Sequence, residues 1–297
     1  MRDLKLEREI RKIWKPRPRH ANKSDFGRIF ILAGSRGLTG AASLASFAAL
    51  RAGAGLVTLG CPGIVYSILA RRYPEVMVRP FASTSKGSLS EKSFSKIFSF
   101  LKTQDVLALG PGLSRHPGTE RLLRKLLLRS KLPAVVDADG VSALQNHPEI
   151  LRKIEAPLIL TPHPGELVRA FGGKKPVTDA ERKTRALQIA RQYRIVLVLK
   201  GHRTVVADSN GKVFVNPTGN PGMATGGTGD VLTGIIAAFL GQGMLPFDAA
   251  RFGVYLHGLA GEFAARQKGE VSLVASDVVE FLPKAILCRR PKGRRFT

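Results

Sequence analysis

The sequence predicts an α/β protein with a mostly parallel central sheet and helices on both faces. Three observations predict it. Short, continuous apolar runs recur along the 297-residue chain, as strands buried on both faces require. Helical stretches of about a dozen residues separate most of them, the alternation that builds a parallel sheet. Polar, glycine-containing clusters follow the runs directly, at the strand ends where open parallel sheets bind their ligands.

In chain order, residues 1–27 are polar, and Pro16 and Pro18 break any long helix there. Arg28 to Ala33 is the first strand candidate; a turn from Gly34 to Gly40 and a small-residue helix from Ala41 to Ala52 follow it. Further strands are expected at Leu56–Leu59, Val106–Leu109, Ala134–Asp137, Leu158–Leu160 and Ile195–Leu199, with helices at Thr119–Leu128 and Asp179–Tyr193 among the connections. Thr204–Ala207 and Lys212–Val215 flank Asp208-Ser209-Asn210-Gly211 and read as a hairpin, since Asn-Gly suits a tight turn. The sheet is therefore expected to end in antiparallel strands. No linker or shift in composition divides the chain, so a single domain over 1–297 is expected, with basic extensions at 1–24 and 285–297.

Composition excludes some functions. No apolar run approaches the roughly 20 residues of a membrane span, and the charged N-terminal stretch is no signal peptide; a cytoplasmic protein is expected. Cys61 and Cys288 are far apart and form no metal or redox spacing. The net charge of +25 invites a nucleic-acid reading, yet the basic residues are spread along helices (Arg121, Arg124, Arg182, Arg185) and the tail Arg289 to Arg295, without interleaved aromatics. A basic surface that draws in small anions accounts for them.

The strongest local signal runs from Gly219 to Asp230, a glycine-rich turn opening onto the apolar helix Val231–Leu240. Free N–H groups and the positive dipole end make a helix start an anion site. Asp230 sits at the mouth of that site, at the centre of the expected chemistry; a plain helix cap is the alternative. No Lys-Ser or Lys-Thr follows the glycines, so this is no Walker loop, and the turn Gly34 to Gly40 lacks dinucleotide-fingerprint spacing. His163, between Pro162 and Pro164, is either a ligand contact or a rigid turn residue. Lys200, before Gly201, is a nucleotide contact or a strand-end charge. Asp137 and Asp139 are helix caps or have a magnesium-linked or structural role, and His257 reads as a packed helix residue.

These residues together resemble the NAD(P)H-hydrate dehydratases, ADP- or ATP-dependent repair enzymes. The resemblance runs from about Asp25 to Pro283. It is carried by Asp25-Phe26-Gly27, Ala33-Gly34-Ser35, Thr39-Gly40-Ala41-Ala42, Gly110-Pro111-Gly112, Asp137-Ala138-Asp139, Thr161 to Glu166, Lys200-Gly201, Gly219 to Gly234, Leu256-His257-Gly258 and Ala275-Ser276-Asp277. It implies a ribokinase-like three-layer α/β/α sandwich and a carbon-oxygen lyase that regenerates NAD(P)H from the S-epimer of its hydrate. ADP, in preference to ATP, would be co-substrate, with Mg²⁺. Asp230 would be the base; Gly227, Thr228 and Gly229 would form the anion hole. Lys200, Gly201, His202, Arg203, Thr204 and Gly229 would hold the nucleotide, and Ala41, Gly112, His163 and Asp230 the hydrate. No dedicated protein metal site is implied. A homotetramer and a separate epimerase partner are also implied, since only residues 1–24 precede the match. Leu38, Ser24 and Glu262 depart from the family pattern. A small-molecule kinase of the same fold, acting on a thiazole or pyrimidine alcohol, is the alternative; a nucleic-acid-binding protein is a more distant one.

Overall fold

A computed structural model describes residue 6, residues 8–10 and residues 17–288. A nine-stranded sheet forms its centre: β1 (Arg28–Leu32), β2 (Leu56–Pro62), β3 (Met77–Phe81), β4 (Val106–Leu109), β5 (Ala134–Val136), β6 (Leu158–Leu160), β7 (Val196–Leu199), β8 (Val205–Ala207) and β9 (Val213–Val215). Their order is β3-β2-β1-β4-β5-β6-β7-β8-β9. Neighbours from β3 to β7 pair in parallel; β7–β8 and β8–β9 pair antiparallel. Each expected strand forms, within a residue at its ends except that β2 runs on three residues from Leu59 to Pro62, and β3 is an addition. Its sequence, Met-Val-Arg-Pro-Phe, is half exposed and carries Pro80, which an edge strand tolerates because one row of its N–H groups has no ladder partner.

Alternate residues of each strand serve two cores. Ile29, Ile31, Val57, Leu59, Val106, Ala108, Val135, Ile159, Val196 and Val198 face one side; Phe30, Leu32, Leu107, Leu109, Val136, Leu158, Leu160, Leu197 and Leu199 face the other. This two-sided burial is why the strands read as continuous apolar runs. On the first side lie α1 (Thr39–Arg51), α8 (Thr228–Gly241), α9 (Pro246–Lys268) and α10 (Ala275–Leu287). The second side carries α3 (Phe94–Leu101), α4 (Pro117–Arg129), α5 (Ala138–Ser142), α6 (Pro164–Phe171) and α7 (Asp179–Tyr193); α2 (Tyr66–Ala70) sits beside β3.

Part of the stretch expected as a basic extension is packed. Leu6 and Ile10 are buried in the first core, and Glu9 pairs with Arg251 of α9 at 2.6 Å. The Arg17 guanidinium stacks on Phe26, 3.8 Å from the ring centre, and donates to the Gly53 carbonyl. The basic tail from Arg289 to Arg295 lies outside the described residues. Among the described residues, no helix is long and apolar enough to cross a membrane. Cys61 and Cys288 are free.

Candidate active site

Parallel strands β4 to β7 end on one rim, and the next residue of each carries a polar group or a turn: Gly110, Asp137, Thr161 and Lys200. Asp137 is the hub. Its carboxylate is 1% exposed and would be costly to bury alone. Oδ1 accepts from the Thr161 hydroxyl at 2.7 Å and the Lys200 ammonium at 2.5 Å; Oδ2 accepts from the Thr233 hydroxyl at 2.8 Å. One buried carboxylate thus ties β5, β6 and β7 to the first turns of α8. It makes no side-chain cap bond to α5, so the capping alternative does not hold for it. Asp139 takes a different role: its Oδ2 accepts from the Ser114 N–H at 2.8 Å, while burial raises its pKa.

Lys200 is neither a loose nor an exposed charge. Its Nζ lies between Asp137 and Glu166, 3.8 Å from Glu166 Oε2. Burial works against the ammonium, but Asp137 and Glu166 outweigh it and raise its pKa. A β-carbon placed on Gly229 would sit 3.3 Å from that Nζ, so the ammonium lies under the start of α8.

That start is open. Gly227, at φ +93°, is the N-cap residue and offers no side chain. The first helical bond runs from Val231 N–H to the Gly227 carbonyl, so the N–H groups of Gly227, Thr228 and Gly229 point out of the helix end. The Thr228 hydroxyl ties the turn by donating to the Met223 and Thr225 carbonyls, both at 3.1 Å. Asp230, in the first turn, makes no cap hydrogen bond, contrary to the plain-cap alternative. Burial pushes its carboxyl up to about 7; Asp137 adds to the rise and Lys200 opposes it. A carboxylate poised near neutrality beside an anion-binding helix end is the pattern of a general base.

A model of the family described as NAD(P)H-hydrate dehydratase matches residues 29–284, which include this whole constellation. The chain belongs to the NAD(P)H-hydrate dehydratase family. It is 49% identical over 262 residues to the bifunctional NAD(P)H-hydrate repair enzyme of Moorella thermoacetica, covering 88% of this chain and 49% of that one. The Escherichia coli enzyme of the same description is 36% identical over 272 residues, covering 92% and 50%. The chain therefore spans about half the length of these curated relatives. Among solved structures, the ADP/ATP-dependent NAD(P)H-hydrate dehydratase of Bacillus subtilis, co-crystallised with ATP and Mg²⁺, superposes with a TM-score of 0.83 at 31% identity, covering 96% and 97%. Arabidopsis thaliana ribokinase, 13% identical with 86% and 98% covered and a TM-score of 0.54, shares the fold alone. The expected ribokinase-like α/β fold is borne out. A dehydratase of this family is a lyase.

In this dehydratase-family chain the remaining expected site residues fall into two groups. Ala41 and Gly112 meet across the β1 and β4 loops: a β-carbon on Gly112 would lie 3.1 Å from Ala41 Cβ and 3.0 Å from Leu38 Cβ. Leu38 is 45% exposed and so presents an apolar face beside them. His163 caps α6: its Nδ1 accepts from the Gly165 and Glu166 N–H groups, and Glu166 accepts in return from the His163 N–H at 2.8 Å. His116 caps α4 through the same His-Pro-Gly pattern, so the turn role is real. These bonds assign the proton of neutral His163 to Nε2, 3.4 Å from Glu166 Oε1. Burial, reinforced by Lys200, lowers its pKa even though Glu166 opposes this, and about half of the side chain is exposed.

His202, Arg203 and Thr204 lie in the turn after β7. His202 and Arg203 are exposed there, and Thr204 is half-buried. His257, on α9, packs as expected: burial pushes its pKa down to about 4, and its Nε2 is buried without a partner. Glu262 accepts from the Gly219 N–H at 3.1 Å and so steadies the glycine block. Sequence reasoning missed Thr233 and the central place of Asp137, both tertiary features. One signal was present: Thr233 lies three residues after Asp230 and therefore on the same helix face.

Proposed function

We propose that this chain regenerates NADH or NADPH from the S-epimer of its hydrate, with ADP preferred to ATP as phosphoryl donor. The observation that carries the proposal is Asp230: a carboxyl raised to about 7, uncommitted to capping, beside three outward N–H groups and a buried ammonium. The Bacillus subtilis relative's crystallisation with ATP and Mg²⁺ supports the nucleotide half of the reading.

The chemistry follows from these groups. Asp230 takes the proton of the ring hydroxyl as that oxygen attacks the terminal phosphorus of ADP, and the bond to the inner phosphate breaks to leave AMP. The ring nitrogen's lone pair then expels phosphate, a far better leaving group than hydroxide. Loss of a proton from the neighbouring ring carbon restores the double bond. The sum is hydrate plus ADP giving NAD(P)H, AMP and phosphate. Gly227, Thr228 and Gly229 N–H groups stabilise the charge on the transferring phosphoryl group, and Lys200 adds a fixed positive charge. Lys200 to Thr204 and Gly229 hold the nucleotide; Ala41, Gly112 and His163 line the hydrate pocket, with Leu38 against the ring. Among the described residues, no group of three or more His, Cys, Asp or Glu is placed to hold a metal. Mg²⁺ would enter with the nucleotide, near the carboxylates of Asp137, Glu166 and Asp230. When bound there, it neutralises phosphate charge.

We place the reaction in the cytoplasm, in a homotetramer working beside a separate epimerase that supplies the S-epimer. Product analysis tests the reaction. Equal molar amounts of NADH, phosphate and AMP are expected from NADH hydrate and ADP. A phosphorylated product that accumulates without NADH would instead identify a kinase.

A further inference from the structure

Arg182 lies in the first turn of α7, a helix on which Lys183 and Arg191 are exposed and Arg185 is half-buried. Composition alone places it among the surface charges. The structure buries it to 6% exposure. A guanidinium is costly to bury without partners, and the partners here are backbone carbonyls of one turn. Nη1 donates to the His202 carbonyl, and Nη2 donates to the Leu199 and Lys200 carbonyls at 3.2 and 3.3 Å. Its Nε is buried without a partner, and Asp179, the nearest carboxylate, stands 4.0 Å from Nη1. The charge is therefore compensated mostly by the turn itself.

This arrangement orients the peptides. Of the three peptides whose carbonyls meet the guanidinium, two carry the N–H groups of Gly201 and Arg203 on the side away from it, while the third N–H, of Lys200, donates to the Pro162 carbonyl at 2.9 Å. The N–H groups of Gly201, His202 and Arg203 donate to no described residue, and these three residues are exposed. Arg203, at φ +51°, gives the turn a left-handed residue, the geometry of backbone concavities that bind anions. Gly201, at φ +139°, is required twice over. Its conformation disfavours a side chain, and a β-carbon would stand 3.0 Å from Arg182 Nη2. The far side of the turn is fastened to the same helix end, because Arg203 pairs with Asp179 at 3.0 Å. The Thr204 hydroxyl closes the turn on the Gly201 carbonyl at 2.9 Å.

We propose that Arg182 is a positioning residue for nucleotide binding: it gathers the carbonyls of residues 199, 200 and 202 so that the outward N–H groups of the turn meet a phosphate of an adenine nucleotide. It acts through the turn and touches no ligand. The inference rests on the reading of Lys200 to Thr204 as the nucleotide segment.

The test joins ADP affinity, steady-state kinetics and amide hydrogen exchange. In the unaltered protein, ADP is expected to slow exchange at residues 200–204. Arg182→Met is expected to raise the ADP Kd and KM by about tenfold or more, the scale of losing a charged hydrogen-bond partner, with a much smaller change in kcat and none in the hydrate KM. Arg182→Lys, which keeps the charge but not the fork, should fall between the two. If Arg182→Met does not fold, Arg182→Lys alone decides the matter, with a Kd raised several-fold or unchanged. A lower melting temperature with unchanged ADP affinity in either folded variant overturns the positioning role, leaving Arg182 a brace for the fold. ADP that binds the unaltered protein without protecting residues 200–204 overturns the nucleotide reading of the turn itself.

Discussion

Asp230 and His163 are residues whose environments state their tasks. Burial and the neighbouring Asp137 charge lift the Asp230 carboxyl to about 7, and only its deprotonated form can accept a proton. kcat/KM should therefore rise with pH through about 7, falling about tenfold per unit on the acid side. A limb centred near the ordinary aspartate value would contradict this. Asp230→Asn should lose about 10²–10⁴-fold in kcat, the range of a general base. The same shift has a consequence for stability. The folded pKa lies above the unfolded one, so the protonated carboxyl favours the fold in acid, and that contribution is lost as pH rises from 3.8 through about 7. Asp230→Asn should then melt higher than the parent in mildly alkaline buffer, with the gain vanishing in acid. His163 has two roles to separate. Asn can still cap α6, whereas Ala cannot, at a cost of about 1 kcal/mol. His163→Asn should hold the melting temperature and raise the hydrate KM, and His163→Ala should do both harms. An unchanged KM in His163→Asn would reduce the residue to a cap.

At the scale of elements, the site is a meeting of the β5, β6 and β7 ends with the start of α8, joined by the Asp137 carboxylate. The glycine turn before α8 depends on Gly227, whose φ of +93° disfavours a side chain and whose β-carbon would stand 2.5 Å from Leu44 of α1 and 3.1 Å from Ala275 of α10. Gly227→Ala should keep the fold, displace the N–H groups it carries and lower kcat by about 10²-fold, as loss of an oxyanion donor does. Circular dichroism and the rate together check it: a folded variant with full activity would remove this turn from the chemistry. The elements differ in how plainly the sequence shows them. β4 to β7 are buried on both faces and read as apolar runs. β3 hides because an edge strand with Arg79 and Pro80 satisfies no periodicity. Arg182 hides for a different reason. Helical spacing places it among solvent-facing charges, and only the tertiary approach of the residue 199–203 turn buries it. Asp137 resembles a helix cap for the same reason, since its real partners, Thr161, Lys200 and Thr233, come from three other elements.

On the scale of the whole molecule, a net charge of +25 is expected to attract anions without selecting one. Adenine nucleotide bound in a partly buried site should keep much of its affinity as salt rises, whereas nucleic acid held by surface charge should be released steeply. ADP at about 100 times its Kd should raise stability by about 2.7 kcal/mol through mass action alone. Parallel titrations with ADP and a DNA duplex across a salt series check both expectations. DNA affinity that persists at high salt would point to a nucleic-acid site that the site geometry does not explain. Fold class and the chemical rim were legible because both follow from local patterns, apolar runs and the glycine block. The network beneath them was not, because it consists of contacts between residues far apart in the chain.

The most direct test of the central claim is the recovery of NADH absorbance when the protein is mixed with NADH hydrate, Mg²⁺ and either ADP or ATP, beside Asp230→Asn. Recovery that requires nucleotide, is faster with ADP and is lost in the variant is the predicted result. Folded, ADP-binding protein that returns no NADH with either donor, or an Asp230→Asn variant as active as the parent, would contradict it.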